Sequence, residues 1–245
     1  MVVAAAREIR DGEVAFVGMR LPLLAFCIAK RTHAPDAIGL FEAGVIRDTP
    51  SPDLLYTMCD PANVAGASAC VPMATIMGLL QAGHVDVGFI GGAEIDRYGN
   101  LNTTCIGPIQ RPSVRLPGSG GGADIACLAR RLIVMMPHER RRFREKVDYV
   151  TSPGHGQGPG WRRDQGLVGG GPAVLITTMG VFVFPPDTCE ATLCSIHPGV
   201  TLDEVQKETG WPLRVLPDLG ATLLPTAEEL AVVRQYDPEG FWTRD

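Results

Sequence analysis

Aromatic residues make up only 6% of this 245-residue chain, and no hydrophobic run approaches the length of a membrane helix. The longest apolar stretch, Leu21 to Ala29, is about half of what a bilayer-spanning segment requires. Positive charge is in deficit: Lys+Arg 22 against Asp+Glu 27 gives a formal net charge of −5. A general nucleic-acid binder draws its affinity from a basic surface, so neither nucleic acid nor membrane is an expected partner. The opening MVVAAAREIRDGEV has no positive n-region and too short an apolar stretch for a secretory signal. The seven cysteines are odd in number, widely spaced and without any CxxC pair. They read as reduced, mostly buried thiols of a cytoplasmic protein, neither a disulfide framework nor a zinc site.

What the chain has is enough apolar material, 45%, to bury a full core without disulfides or metal. No repeat, low-complexity tract or domain-sized linker interrupts it, so a single domain over residues 1–245 is expected. Short β-branched runs alternate with amphipathic segments, which predicts an α/β fold: an open, partly parallel sheet flanked by helices. Strands are predicted at Glu13–Val17, Ala37–Phe41, Val85–Gly91 and Leu132–Met136, and helices at Leu23–Lys30 and Met73–Ala82. Ser51–Val71 reads as irregular and Pro-rich. Thr201-Leu-Asp-Glu204 and Thr226-Ala-Glu-Glu229 are capping boxes that open two C-terminal helices. Two long loops, Thr104–Gly121 and Thr151–Gly171, are rich in Gly and Pro, and loops of that length are often functional.

Three segments can carry chemistry. In Ala37-Ile-Gly-Leu-Phe-Glu42-Ala-Gly44, a carboxylate follows a buried strand directly. That places Glu42 at the carboxyl edge of the sheet, where open α/β folds bind ligands. Apolar neighbours would desolvate it and sharpen it as a nucleophile or base. Spacing alone, however, favours an exposed glutamate in a turn. In Phe89-Ile-Gly-Gly-Ala-Glu94-Ile-Asp96-Arg-Tyr-Gly99-Asn100-Leu-Asn102, two glycines allow close backbone approach to a ligand, and Glu94 follows them. Asp96, Asn100 and Asn102 read as the bonds of a structural turn. In Pro117-Gly118-Ser-Gly120-Gly121-Gly122-Ala-Asp124, consecutive glycines before an apolar segment can present backbone N–H groups to a phosphate or an oxyanion. The run lacks the spacing of a dinucleotide fingerprint and the lysine of a P-loop, and by itself reads as a flexible loop.

Other segments carry less. His138-Glu139 lacks the second histidine of a zincin helix, so no metal site is expected. The basic run Arg140–Arg142, Arg144, Lys146 is diluted by Glu139, Glu145 and Asp148 and reads as a solvated face or subunit contact. His155, in GHGQGPGW, reads as part of a mobile loop, and no GxSxG elbow is present.

Taken in order, FVGMRLPLLAFCIAKRTHAPD (16–36), FEAG (41–44), FIGGAEIDRYGNLNTT (89–104), PGSGGGADIA (117–126) and PHERRRFREKVDYVTSPG (137–154) resemble the β subunit of glutaconate CoA-transferase, a class I CoA-transferase. IHPGVTLDEVQKETGWPL (196–213) is similar to that family's tail, so the likeness runs over nearly the whole chain. The resemblance implies a covalent glutamate in the E-(S/A/N)-G turn, here Glu42 with Gly44, and so reverses the reading from spacing. It implies a ping-pong exchange through a glutamyl-CoA thioester, with a carboxylic, glutaconate-like acid as acceptor. It implies Gly120, Gly121 and Gly122 as a loop contacting the thioester, with Glu94 near the substrate. Coenzyme A would then be a substrate, with no permanently bound cofactor, and an α subunit the partner in a cytoplasmic hetero-oligomer. Two other readings compete. Proteins resembling this family include hydrolases of ring-cleavage CoA thioesters and decarboxylases, and related α/β scaffolds serve as sugar-phosphate-sensing regulators. The last would need a DNA-binding segment that this sequence does not contain.

Overall fold

The computed structural model describes residues 1–244 and divides the chain into two units where the sequence suggests one domain. The first comprises Met1–Phe89 and the chain from Leu224 onward; the second comprises Ile90–Leu223.

In the first unit, α1 (Val2–Ala6) and β1 (Val14–Phe16) lead to α2 (Leu21–Arg31), followed by β2 (Ile38–Phe41) and β3 (Val45–Arg47). Then come α3 (Pro61–Val64), β4 (Ala69–Cys70), α4 (Met73–Gln81) and β5 (Val87–Ile90), and the helix Ala227–Tyr236 returns to the unit. The strands lie in the order β5-β1-β2-β3-β4. β1 runs parallel to both neighbours, with Phe16 opposite Leu40 and Ala15 opposite Val87, whereas β2, β3 and β4 are antiparallel. Buried parallel strands need apolar residues on both faces, and Ala15, Phe16, Leu40, Phe41, Val87 and Phe89 supply them. Pro22 sits in the first turn of α2, where a missing N–H costs nothing. The helix buries nearly its whole circumference. Gly39 makes that possible, because a Cβ there would stand 2.7 Å from the Phe26 ring. Buried Lys30 donates to the carbonyls of Pro35 and Ala37 and thereby stops the helix against β2.

Arg47 organises the irregular Pro-rich stretch. Its guanidinium is 2% exposed and donates to the carbonyls of Thr49, Pro50, Asn63 and Ala65. Pairing a buried cation with backbone acceptors folds a loop that no hydrophobic pattern marks.

The second unit opens with two small hairpins, β6 (Glu94–Ile95) with β7 (Leu101–Asn102) and β8 (Cys105–Ile106) with β9 (Val114–Arg115). α5 (Gly122–Leu128), β10 (Arg131–Met136), α6 (Trp161–Asp164), β11 (Pro172–Thr177), β12 (Gly180–Val183), β13 (Thr192–Ile196), α7 (Leu202–Glu208) and β14 (Arg214–Ala221) complete it. β10 to β14 lie side by side in sequence order, parallel at β10–β11 and β13–β14 and antiparallel between. The mixed sheets and flanking helices match the expected α/β class. Both capping boxes form: Thr201 accepts from the Glu204 N–H, and Thr226 from the Glu229 N–H.

Two expectations need correction. All seven cysteines are free, but only Cys27 and Cys105 are buried, so the thiols are not mostly interior. Thr151–Gly171 is not an open loop. It contains α6, and the buried Arg162 guanidinium donates to the carbonyls of Gly169, Pro153, Gly154 and Ala126. His155 in this segment is half-buried and bonds through Nε2 to the Pro172 carbonyl at 2.8 Å. No described helix is long and apolar enough to cross a membrane.

Candidate active site

Glu42, Ala43 and Gly44 form the tip of the β2–β3 hairpin, closed by the Phe41–Val45 pair and by the Gly44 N–H donating to the Phe41 carbonyl at 2.9 Å. Because β2 lies between β1 and β3, Glu42 projects from the carboxyl end of the third of five strands. Gly44 cannot be another residue. Its φ is +104°, and a Cβ there would lie 2.0 Å from the Val71 carbonyl oxygen. The Val71 N–H bonds back to the Gly44 carbonyl at 2.8 Å, so two close backbone contacts hold the tip. The glutamate is half-buried rather than enclosed as the apolar flanks suggest, and Ala43 beside it is exposed.

The same edge of the first unit carries the link between β1 and α2. A Cβ on Gly18 would stand 2.7 Å from the Phe89 carbonyl oxygen, so the chain crosses closely over β5. Two residues on, Arg20 has φ 69° and ψ −122° as it caps α2. Its guanidinium lies 5.4 Å from the centre of the Trp242 ring. Sequence reading missed this residue, since no side-chain pattern announces a positive φ.

In the second unit, Glu94 is 2% exposed and its carboxylate is occupied. Oε2 accepts from Asn102 Nδ2 at 2.7 Å and from the Asp148 N–H at 2.9 Å; Oε1 is 3.8 Å from Arg144 Nε. The turn between β6 and β7 is the expected structural one. Asp96 accepts from the N–H groups of Tyr98 and Asn100 and from Asn100 Nδ2, while Asn100 Oδ1 accepts from the N–H groups of Gly154 and Gly156. Burial raises the Asp96 carboxyl to about 6.

The glycine run is anchored at its start and open in its middle. The Gly118 N–H donates to the Thr103 carbonyl, and Thr103 Oγ1 donates to the Gly118 carbonyl. Gly118 and Gly120 have φ of 94° and 50°, and a Cβ on either would meet nothing within 4 Å. The N–H groups of Ser119, Gly120 and Gly121 have no protein acceptor among the described residues. Gly121 caps α5, and Gly122 is the first residue inside it. Consecutive unpaired N–H groups of this kind can receive an anionic oxygen.

The basic run lines an open groove of about 620 Å³ with Arg140, Arg141, Arg144, Lys146 and Glu145 above Phe143 and Gly210. Much of its charge is already matched, Arg141 by Glu139 and Glu145 by Arg97. His138 lies below, stacked on Phe143 at 3.8 Å and bonded to the hydroxyls of Thr177 and Thr209.

The first unit thus offers a glutamate at a strand edge, and the second a glycine run with free N–H groups. Comparison with known proteins names the family: the family model described as coenzyme A transferase matches residues 1–208. The β subunit of 3-oxoadipate CoA-transferase from Pseudomonas knackmussii is 39% identical over 97% of this chain and 91% of its own length. The crystal structure of glutaconate coenzyme A-transferase from Acidaminococcus fermentans superposes with a TM-score of 0.92 at 34% identity, over 100% of this chain and 95% of that one. The decarboxylase AibA/AibB superposes with a TM-score of 0.85 at 30% identity, over 98% and 94%. The chain belongs to the coenzyme A transferase family, on its β-subunit side.

Proposed function

We propose that the chain, acting as one functional domain over residues 1–245, is the β subunit of a cytoplasmic CoA-transferase with Glu42 as its covalent nucleophile. The observation that carries this is the locked E-A-G hairpin tip, which fixes a reachable carboxylate at the strand edge. The Glu42 carboxylate attacks the acyl-CoA carbonyl; a C–O bond forms, the C–S bond breaks, and CoA leaves as thiolate. The thiolate then attacks the glutamyl carbonyl of the mixed anhydride, expelling the first acid as its carboxylate and leaving a glutamyl-CoA thioester. An acceptor carboxylate runs the sequence in reverse. Thioester energy is conserved at each covalent exchange, so coenzyme A enters only as substrate and no resident cofactor is needed. The unpaired N–H groups at its start suit the loop of Gly120, Gly121 and Gly122 to contact with an acyl oxygen of the substrate. Glu94 acts by position: it holds Asn102 and the Asp148 N–H beneath that loop's anchor at Thr103. The acid is a dicarboxylate, as the names of the glutaconate and 3-oxoadipate relatives suggest.

An α subunit completes the enzyme. In support, α4 starts two residues beyond Val71, the residue bonded to the Glu42 hairpin, and carries an apolar face with Met73 56% exposed beside Ala74, Thr75 and Gly78. The anhydride must be shielded from water, and a half-buried glutamate is not shielded by its own chain. Incubating the assembled enzyme with acyl-CoA and no acceptor should leave CoA on Glu42, which borohydride reduces and peptide mapping locates. Glu42→Gln should abolish both label and transfer; label on another carboxylate, or a transfer-competent Glu42→Gln enzyme, would remove Glu42 from the role. The likeness to AibA/AibB keeps a second reading alive, in which the scaffold decarboxylates or hydrolyses its thioester; loss of CO2, or CoA release without acceptor at the transfer rate, would select it.

A further inference from the structure

We propose that Arg20 is the specificity residue for the distal carboxylate of the acid substrate, an inference that rests on the transferase reading. Three observations place it there. First, its backbone is strained: φ 69° with ψ −122° belongs to glycine, and L-residues held in such conformations cluster at ligand clamps and active sites. Second, the residue lies on the strand edge that carries Glu42. Phe16 lies opposite Leu40 and the Val17 N–H donates to the Leu40 carbonyl, so continuing the register brings Gly18 level with Glu42, about 4.8 Å away across the strand gap. Arg20 is two residues further out on the same edge. Third, the guanidinium has no hydrogen bond or ion pair among the described residues. It rests on the face of Trp242, whose indole N–H is tied to the Leu55 carbonyl at 2.9 Å. A guanidinium lying on a fixed aromatic face is pre-organised, with its N–H edge left for a planar anion.

The anion this suits is a carboxylate of the acyl chain. In a glutamyl-linked intermediate the reacting carbon sits at Glu42, and a dicarboxylate extends a few carbons from it. The phosphates of CoA lie at the far end of the pantetheine arm, away from a cation one strand over. Arg20 would receive the far carboxylate in a bidentate pair while the near one reacts, and a monocarboxylate would leave the guanidinium empty.

The test compares acceptors on the enzyme assembled with its partner subunit. Arg20→Gly removes the cation and also the strain, so it should melt at the wild-type temperature or above. Its kcat/KM ratio for a dicarboxylate over the monocarboxylate of equal length should fall about tenfold to a hundredfold, chiefly through KM, with Arg20→Lys in between. Trp242→Leu keeps the cation and should lower the ratio less. An unchanged ratio in Arg20→Gly overturns the assignment, as does a Trp242→Leu enzyme that reproduces the whole loss, since Arg20 would then be a tether for the C-terminal segment. Calorimetric binding of the free dicarboxylate to Glu42→Gln, with and without Arg20→Gly, reads the contact without turnover. Failure of the Glu42 reading therefore leaves the Arg20 result separately legible.

Discussion

Gly44→Ala tests how rigidly the hairpin tip is built. The added methyl would sit 2.0 Å from the Val71 carbonyl oxygen, about 1 Å inside the closest approach any real Cβ makes. The obstacle is backbone, and no rotamer relieves it. At φ +104° the alanine itself carries about 1–3 kcal/mol of conformational strain. Moving the tip or Val71 to clear the overlap also breaks the Val71 N–H to Gly44 bond, about 1 kcal/mol more. A loss of about 3 kcal/mol follows, and for a chain of this size that lowers the midpoint by roughly 6–12 °C. Gly12→Ala is the control: it shares a positive φ, 76°, but meets nothing within 4 Å, so it should show strain without overlap. Where Gly44→Ala still folds, Glu42 is displaced by about 1 Å, which on the proposed nucleophile role should slow transfer about a hundredfold. Thermal unfolding and acyl transfer on the same preparations measure both. A Gly44→Ala protein that melts within 2 °C of Gly12→Ala and transfers at the wild-type rate would refute the locked tip.

Two further predictions concern the second unit. Arg162→Met strips the donors from the carbonyls of Gly169, Gly154 and Ala126 and should cost at least about 3 kcal/mol, with new proteolytic cuts between residues 151 and 171; an undigested loop counts against the clamp. Burial holds His138 down at about 4, so the folded protein binds fewer protons than the unfolded chain between about 4 and 6.5. Its contribution, about 3 kcal/mol, is present above pH 6.5 and lost as the pH falls towards 4. Asp96, raised to about 6, acts with the opposite sign, costing stability as pH rises from about 4 to 6, so the comparison needs a variant. His138→Gln should flatten the acid limb of a denaturant-midpoint titration relative to wild type, and superimposable slopes would exclude the histidine.

The parallel strands of the first unit were legible because burial on both faces leaves continuous apolar runs, as in VAFV and AIGLF. The two capping boxes were legible because their mechanism is local, a threonine and a glutamate three residues apart. Strand β14 escaped because it lies at an edge, pairs among the described residues with β13 alone, exposes most of its residues and contains Pro217, which argues against a strand except at an edge. The clamps by Arg47 and Arg162 escaped because backbone carbonyls, their acceptors, leave no trace in side-chain pattern. The cysteines depart from a reading by residue type: Cys70, for example, is exposed on the two-residue strand β4.

At the site, the position of Glu42 after a buried strand could be read, but its environment could not. The apolar residues before it predict desolvation, yet Leu40 and Phe41 are buried in the strand while Glu42, in the turn beside exposed Ala43, is only half-buried. Glu94 shows the converse. It follows two glycines and looks available, but its acceptors are taken up by Asn102 and by the Asp148 N–H, more than fifty residues later. Partial exposure at the tip and burial at the hairpin, on the transferase reading, decide which carboxylate can attack and which can only support. On the transferase reading, the surviving nucleophile is rigidly held but open to water, so its turn supplies orientation alone. Exclusion of water, which separates transfer from hydrolysis, has to come from whatever covers the exposed face of α4 and the tip beside it. The ratio of transfer to hydrolysis is then a property of the assembled enzyme and should respond to substitutions at Met73 that leave Glu42 untouched.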